Sequence, residues 1–266
     1  MKKKILLLIT ALILILSACG KKETNEDAKT VKIGVSPVPH EAIAKIAQEN
    51  LKSKGINLEI ITFDDYVKPN LAVKDKELDL NFYQHVPYME TFNKEQGTNL
   101  VSIGAVHIEP IAFYSDKVKS LDELKNDAEI LIPNDATNGA RALLLLEQNN
   151  LIKLKDNVDL PTLLDIEENP KNIKFTEVEA AFITSSYKDV DGAVINSNYA
   201  ISGGLNPLED GIVIEDKESN YANVLAVNED RKDDSILKEV YKAFASKEVK
   251  EFLEDEYKGS IIPAFE

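Results

Sequence analysis

The feature that most constrains the fold is a strand–helix–strand alternation that runs from Val31 to Phe82 and restarts after Pro110. Val31 to Ser36 alternates apolar and polar residues, as a half-buried strand does, and Pro37 and Pro39 end it. The spacing of Ile43, Ile46, Ala47 and Leu51 predicts a helix from about Glu41 to Lys54, stopped by Gly55. A second strand follows at Ile56 to Phe63, a short helix opens at Pro69, and a third strand covers Leu78 to Phe82. Val86-Pro87-Tyr88 begins another helix. Beyond Pro110, strands are expected at Ile111 to Ser115, Glu129 to Ile132, Gly192 to Ile195 and Asn223 to Val227. Helices are expected at Thr137 to Asn149, from about Asn198, at Ile236 to Phe244 and at Lys247 to Tyr257. Such alternation predicts an α/β fold of two units, each a mostly parallel sheet covered by helices.

The N-terminus has a different grammar. Lys2-Lys3-Lys4, an apolar stretch from Ile5 to Leu16 and the small residues Ser17-Ala18 make residues 1–18 a secretory signal peptide. The stretch is shorter than the roughly 20 apolar residues that span a bilayer. Cys19 is the only cysteine, and Leu16-Ser17-Ala18-Cys19 resembles the lipobox of bacterial lipoproteins. That resemblance implies cleavage before Cys19, acylation of its thiol, palmitate included, and a mature protein anchored to a cell membrane and facing outside the cytoplasm. Residues 19–30, polar and aperiodic from Gly20 on, read as a flexible lipid-tethered linker. Loss of the signal removes three Lys and no acid, taking the formal charge from -15 to -18. A surface so negative disfavours nucleic acid and anionic lipid as partners. With Cys19 acylated no disulfide can form within the chain, so packing must hold it together.

Two clusters carry the candidate chemistry. Asn81-Phe82-Tyr83-Gln84-His85-Val86-Pro87-Tyr88 puts three aromatics and a His at a strand-to-helix turn, where side chains can enter a cleft; Tyr66 stands at another strand end. Open α/β sheets bind ligands outside the carboxyl ends of their strands. Pro133-Asn134-Asp135-Ala136-Thr137-Asn138-Gly139-Ala140-Arg141 follows a strand and opens a helix. Free N–H groups and the dipole there favour an anion, and the fork of Arg141 suits a carboxylate. The single Gly and missing Gly-Lys-Ser/Thr disfavour a polyphosphate. His40, His85 and His107 are the only histidines; none form a short-spaced pair, so no metal site and no cofactor are expected. No Gly-x-Ser-x-Gly elbow or other poised nucleophile points to an enzyme.

The segments Asp65-Tyr66-Val67-Lys68-Pro69-Asn70-Leu71-Ala72, Asn81 to Tyr88, Ile132-Pro133-Asn134-Asp135, Asn138-Gly139-Ala140-Arg141-Ala142-Leu143 and Ala193-Val194-Ile195-Asn196-Ser197-Asn198-Tyr199-Ala200 resemble the NlpA/MetQ family of methionine-binding lipoproteins from bacterial ABC importers. The resemblance runs from about Val31 to Phe265. It implies a two-lobed, type II periplasmic-binding-protein-like fold with a ligand cleft between lobes crossed twice by the chain. Lobe 1 would hold residues 31–110 plus 225–266, and lobe 2 residues 111–224. It further implies L-methionine as ligand and a permease and ATPase as partners. Arg141 would clamp the carboxylate and Asn196 and Asn223 contact the amino-acid head. Phe82, Tyr66, Tyr83, Tyr88, His85 and His107 would line the side-chain pocket. The same scaffold holding a methionine-containing dipeptide or another apolar amino acid is the alternative, and a surface adhesin or metal-binding protein the more distant one.

Overall fold

The structure, a computed structural model, describes residues 29–217 and 220–266. The signal peptide, Cys19 and most of the linker lie outside the described residues. The first strand nevertheless begins within the expected linker: β1 spans Lys29–Val35, with Lys29 already in register with Ile56.

Each expected unit has its own sheet. In the first, β1 is followed by α1 (Ala42–Lys52), whose Ile43, Ala44, Ala47 and Leu51 are buried at helical spacing. β2 (Ile56–Thr62) runs parallel to β1. Then come α2 (Lys68–Lys74), β3 (Leu80–His85), α3 (Val86–Gln96) and β4 (Leu100–Ile108). Gly97 ends α3 in the left-handed region at φ 60°, where a residue without Cβ is unstrained.

The second unit opens with β5 (Ala112–Tyr114) and β6 (Glu129–Pro133), then α4 (Ala136–Gln148). A two-stranded hairpin, β7 (Lys153–Leu154) with β8 (Ile166–Glu168), lies beyond it. Next are β9 (Lys174–Val178), α5 (Ala180–Ser186), β10 (Gly192–Ile195), α6 (Ser197–Ser202), α7 (Pro207–Asp210) and β11 (Val213–Ile214). The chain then returns to the first sheet through β12 (Ala222–Asn228), α8 (Ser235–Phe244), α9 (Lys247–Tyr257) and β13 (Ile262–Pro263). The first sheet has the order β13-β4-β12-β3-β1-β2 and the second β11-β5-β10-β6-β9.

Neither sheet is mostly parallel, as the alternation suggests. In the first, β1 pairs parallel with β2 and β3, while β12 lies antiparallel between β3 and β4. In the second, β6 is parallel to β9 and β10, and β5 is antiparallel to β10 and β11. A strand that arrives from the other unit has no βαβ crossover to fix its direction, so these strands enter antiparallel. β4 and β9 were not foreseen: β4 is interrupted by polar Ser102 and Gly104, and β9 alternates with charged residues.

Each unit has its own main core. Val31, Ile33, Leu58, Leu80 and Phe82 pack with Leu237, Val240, Phe244, Val249 and Leu253 of the terminal helices. Ile130, Ile132, Ala142, Leu143, Leu146 and Val194 form the centre of the second unit. Residues 109–111 lead from the first sheet to the second, and the chain leaves the second sheet after Ile214 and re-enters the first at Ala222.

One glycine sets how closely α4 approaches its sheet. A Cβ on Gly139 would stand 2.9 Å from the carbonyl oxygen of Pro133, a backbone atom that cannot swing away. Gly139→Ala therefore should not give the roughly 1 kcal/mol that helix propensity favours. It should destabilise by about 1–3 kcal/mol, as overpacking does. Urea denaturation checks the sign.

Candidate functional site

The carboxyl ends of β3 and β10, the start of α4, the first connecting segment and the start of β12 converge on one cleft. It encloses about 350 Å³ of empty space, mouth included, and is lined by Tyr66, Tyr83, Gln84, His85, Tyr88, Glu109, Asn138, Arg141, Asn196, Ser197, Asn198 and Asn223.

A β-bulge builds the first wall. Along β3, Phe82 faces Leu225 and Gln84 faces the adjacent Val224, so Tyr83 is an extra residue on its strand. The bulge breaks period-2 alternation and puts Asn81 and Gln84 on one side. There Gln84 Nε2 donates to Asn81 Oδ1 (2.9 Å) and Asn70 Oδ1 (2.6 Å), and Asn70 Nδ2 donates to Gln84 Oε1 (2.8 Å). This buried amide network ties α2 to the cleft floor. His85 caps α3, its Nδ1 accepting from Tyr88 N at 3.2 Å. Its Nε2 must then carry the proton, and it donates to Asn138 Oδ1 at 3.3 Å.

The tyrosines turn their hydroxyls onto protein acceptors. Tyr66 donates to Asn198 Oδ1 (2.6 Å), and Tyr83 and Tyr88 both donate to Tyr66 O (2.6 and 3.0 Å). Ring centroids of Tyr66 lie 5.8 Å from Tyr83, 5.9 Å from Tyr88 and 5.0 Å from Tyr199. With the polar tips satisfied, the rings form an apolar wall. The Tyr66–Asn198 bond and the donation from Tyr199 Oη to Asp64 O (3.1 Å) join the two units across the cleft mouth.

The second wall begins at α4. Asp135 caps the helix, accepting from Asn138 N at 2.9 Å, and also holds Asn138 Nδ2 at 3.0 Å. Asn138 Oδ1 accepts from Asn196 Nδ2 at 2.9 Å. Asn196 Oδ1 is buried and has no hydrogen-bond partner. A buried acceptor without a donor is costly, by about 1–3 kcal/mol, unless a ligand supplies one.

Arg141 reaches the cleft, but one edge of its fork is taken. Its Nε donates to Glu215 Oε1 at 2.7 Å, and its Nη2 bonds Glu215 Oε2 and, at 2.7 Å, the carbonyl of Glu109. The guanidinium also lies 4.3 Å above the Tyr221 ring. Among the described residues Nη1 has no partner, so that group is what Arg141 can offer a ligand.

Phe82 and His107 do not line the cleft. Phe82 precedes the bulge and points to the opposite face, edge-on to His40 (4.7 Å), His107 (5.3 Å) and Phe244 (5.2 Å). His107 is fully buried behind Glu109, with Nε2 2.6 Å from Glu109 Oε1. Tyr66, Tyr83, His85, Tyr88, Arg141, Asn196 and Asn223 do line it. Sequence reasoning missed Glu109, Gln84, Asn138, Ser197 and Asn198. Glu109 stands in the junction next to Pro110, and an acid beside a proline there was the available signal.

His40, His107 and Glu109 form the one trio among the described residues whose ligating atoms gather within 4.8 Å. A metal-bound imidazole donates its other ring nitrogen to a neighbour. Here both Nδ1 atoms are buried without a partner, and the Nε2 atoms already bond to oxygen. The trio is a hydrogen-bond network.

The residue range 31–265 matches the NlpA lipoprotein family, and the chain belongs to that family. The two-lobed α/β fold of this chain is of the solute-binding kind, shared with methionine-binding proteins of known structure. The chain is 44% identical over 253 residues to the D-methionine-binding lipoprotein MetQ of Escherichia coli (strain K12), covering 94% of this chain and 93% of that one. A nutrient binding protein from Burkholderia cenocepacia, solved bound to methionine, superposes with a TM-score of 0.86 at 41% identity, covering 88% of this chain and 100% of that one. A crystal structure of the methionine binding protein MetQ gives 0.87 at 43% identity, with 90% and 100% covered. No helix among the described residues is long and apolar enough to cross a membrane.

Burial by itself links the site to pH. It holds His40 down to about 4 and, with Arg141 adding to the effect at His85, His85 and His107 to about 3, against 6.5 for a free imidazole. Below pH 6.5 the unfolded chain therefore binds more protons than the native one. Stability should be intact above 6.5 and fall as pH drops toward 4. Glu109, pushed up by burial, acts in the opposite sense but is one group against three. Thermal midpoints should decline between about pH 6.5 and 5, above the range of most carboxylates; a flat profile there would contradict the assignment.

Proposed function

We propose that the protein captures free methionine in this cleft and delivers it to the permease and ATPase of an ABC importer, while Cys19 carries the lipid that anchors it. The family, the relatives' names and the methionine-bound neighbour support the ligand. The observation that carries the reading is an arrangement of opposites. Arg141 Nη1, the Glu109 carboxylate and the unpartnered Asn196 Oδ1 belong to the same cleft as a wall of tyrosine faces. That is the complement of a zwitterion with an apolar tail. The ligand carboxylate would meet Arg141, and its ammonium would meet Glu109, Asn196 and Asn223. Its thioether would lie among Tyr66, Tyr83, Tyr88 and His85. Sulfur–aromatic contacts there contribute roughly 0.3–1.5 kcal/mol each, and burial of the side chain roughly 1.5–3 kcal/mol. The Tyr66–Asn198 bond across the cleft leaves little room and favours one amino acid over a dipeptide.

A ligand at a hundredfold excess over Kd stabilises by about 2.7 kcal/mol. A thermal scan against free amino acids should single out methionine; equal shifts with alanine would contradict the reading. Calorimetry should find binding nearly abolished in Arg141→Ala, since losing one partner of a buried charge pair costs roughly 2–5 kcal/mol. That variant also strands Glu215, so Asn196→Ala is the companion. It should keep the fold and lose about ten- to a hundredfold in affinity. Wild-type affinity in a folded Asn196→Ala protein would remove Asn196 from the head-group site.

Cys19→Ser should release the protein from the membrane fraction. A variant that remains membrane-bound and still labels with fatty acid would disprove the anchor.

A further inference from the structure

We propose that His107, with His40 packed beside it, is a positioning residue for ligand recognition: a neutral imidazole, protonated at Nε2, that donates to one oxygen of Glu109 and keeps its carboxylate charged and aimed into the cleft, while His40 donates to Asn223. The proposal rests on the reading that Glu109 faces the ligand's ammonium.

The geometry fixes the proton positions. His107 Nε2 lies 2.6 Å from Glu109 Oε1, and His40 Nε2 lies 3.3 Å from the same oxygen and 3.2 Å from Asn223 Oδ1. All of these partners are acceptors when Glu109 is ionised, so both Nε2 atoms are donors. Neither Nδ1 atom has a well-formed hydrogen bond, though the Val38 backbone lies beside that of His40. For His107 the other tautomer would bury an orphaned N–H group instead, which folded proteins avoid more strictly than an orphaned acceptor. The second carboxylate oxygen, Oε2, accepts from Asn198 N at 3.1 Å. Two hydrogen bonds, from His107 and Asn198, thus converge on one buried carboxylate, with His40 Nε2 standing 3.3 Å from Oε1 while bonded to Asn223 Oδ1. His40 comes from the loop after β1, His107 from β4, and Asn198 from α6 of the other lobe. Phe82 wedges both rings, at 4.7 and 5.3 Å, and the rings stand 5.0 Å apart.

The charge of Arg141 and the Asn198 N–H also favour the carboxylate, but Arg141 bonds only the backbone carbonyl of Glu109 and spends its fork on Glu215, so His107 is the one side chain that hydrogen-bonds the carboxylate. The remaining titratable neighbours, Tyr66 and Tyr257, are phenols whose ionisation Glu109 opposes. Burial alone drives Glu109 toward the neutral acid, which would attract an ammonium far less. A neutral imidazole donor opposes that tendency without adding a positive charge that would repel the ligand's own. This assigns the buried histidines a task in head-group selection although neither ring touches the cleft.

The test separates charge control from ligand identity. Carbon-13 NMR of the glutamate carboxyl groups in ligand-free protein, with Glu109→Gln to locate the resonance, reads the charge of Glu109 directly. Glu109 should be ionised near neutral pH in the wild type and in His107→Gln, whose amide nitrogen can replace Nε2. It should titrate at higher pH in His107→Leu. His40→Leu, which removes the imidazole 3.3 Å from the same oxygen, is the second variant should the first fail to fold. Calorimetry with methionine and with methylthiobutyrate, which lacks the ammonium, reads the ligand role. Methionine affinity should fall about ten- to a hundredfold in His107→Leu, recover as pH is raised, and return in His107→Gln, while methylthiobutyrate binding stays constant. An unchanged Glu109 resonance, or one already protonated in the wild type, would overturn the proposal. So would equal losses for both ligands, which would mark a merely structural role. Correct NMR behaviour with equal wild-type affinity for both ligands would instead remove the ammonium-facing role of Glu109.

Discussion

The structure depends first on what Arg141 holds. Its guanidinium bonds the carbonyl of Glu109 in the first connecting segment and the carboxylate of Glu215 in the second, and it lies over Tyr221 at the end of that second segment. One side chain from the second lobe therefore bonds residues on both connections between the sheets. Removing such a buried pair's partner strands a charge, whereas the pair as a whole is close to neutral energetically. The contribution of the pair is therefore geometric: it sets where Glu109 and β12 sit relative to the cleft. The fork geometry that suits a ligand carboxylate is used internally, and only Nη1 remains for a ligand.

A second constraint is the closure of every polar group around an apolar wall. The tyrosine hydroxyls end on Tyr66 O and Asn198, His85 is satisfied at both nitrogens, and the Asn70–Asn81–Gln84 amides bond one another. Against that background the unpartnered Asn196 Oδ1 stands out. Low local dielectric makes both the satisfied network and this unpartnered acceptor energetically consequential. The mouth bonds Tyr66–Asn198 and Tyr199–Asp64 come from opposite lobes, so the same groups that shape the pocket also hold it shut.

Much of this was legible in the chain. Hydrophobic periodicity located α1, α4, α8 and the parallel core strands, because these elements bury one regular face. The helix-opening run Pro133 to Arg141 marked the second wall, since an Asp cap followed by Gly and Arg has a local physical reading. The aromatic cluster at the end of β3 marked the first. Phe82 was misplaced because it belongs to that cluster in sequence, and a single bulged residue, Tyr83, decides which neighbours face the cleft. His40 and His107 offered no metal spacing and no other pattern, since their meaning lies in a carboxylate on another segment.

The sequence by itself determined the elements, the two-unit organisation and the residue types of a zwitterion site, since all of these follow from local periodicity and local chemistry. Tertiary structure alone decided the partners. In the first sheet Pro263, His107, Asn223 and His85 share one rung, bringing residues from four distant segments side by side. That rung depends on antiparallel pairing across two interlobe crossings, and no local pattern encodes the register of strands that meet only after the chain has left one sheet and returned.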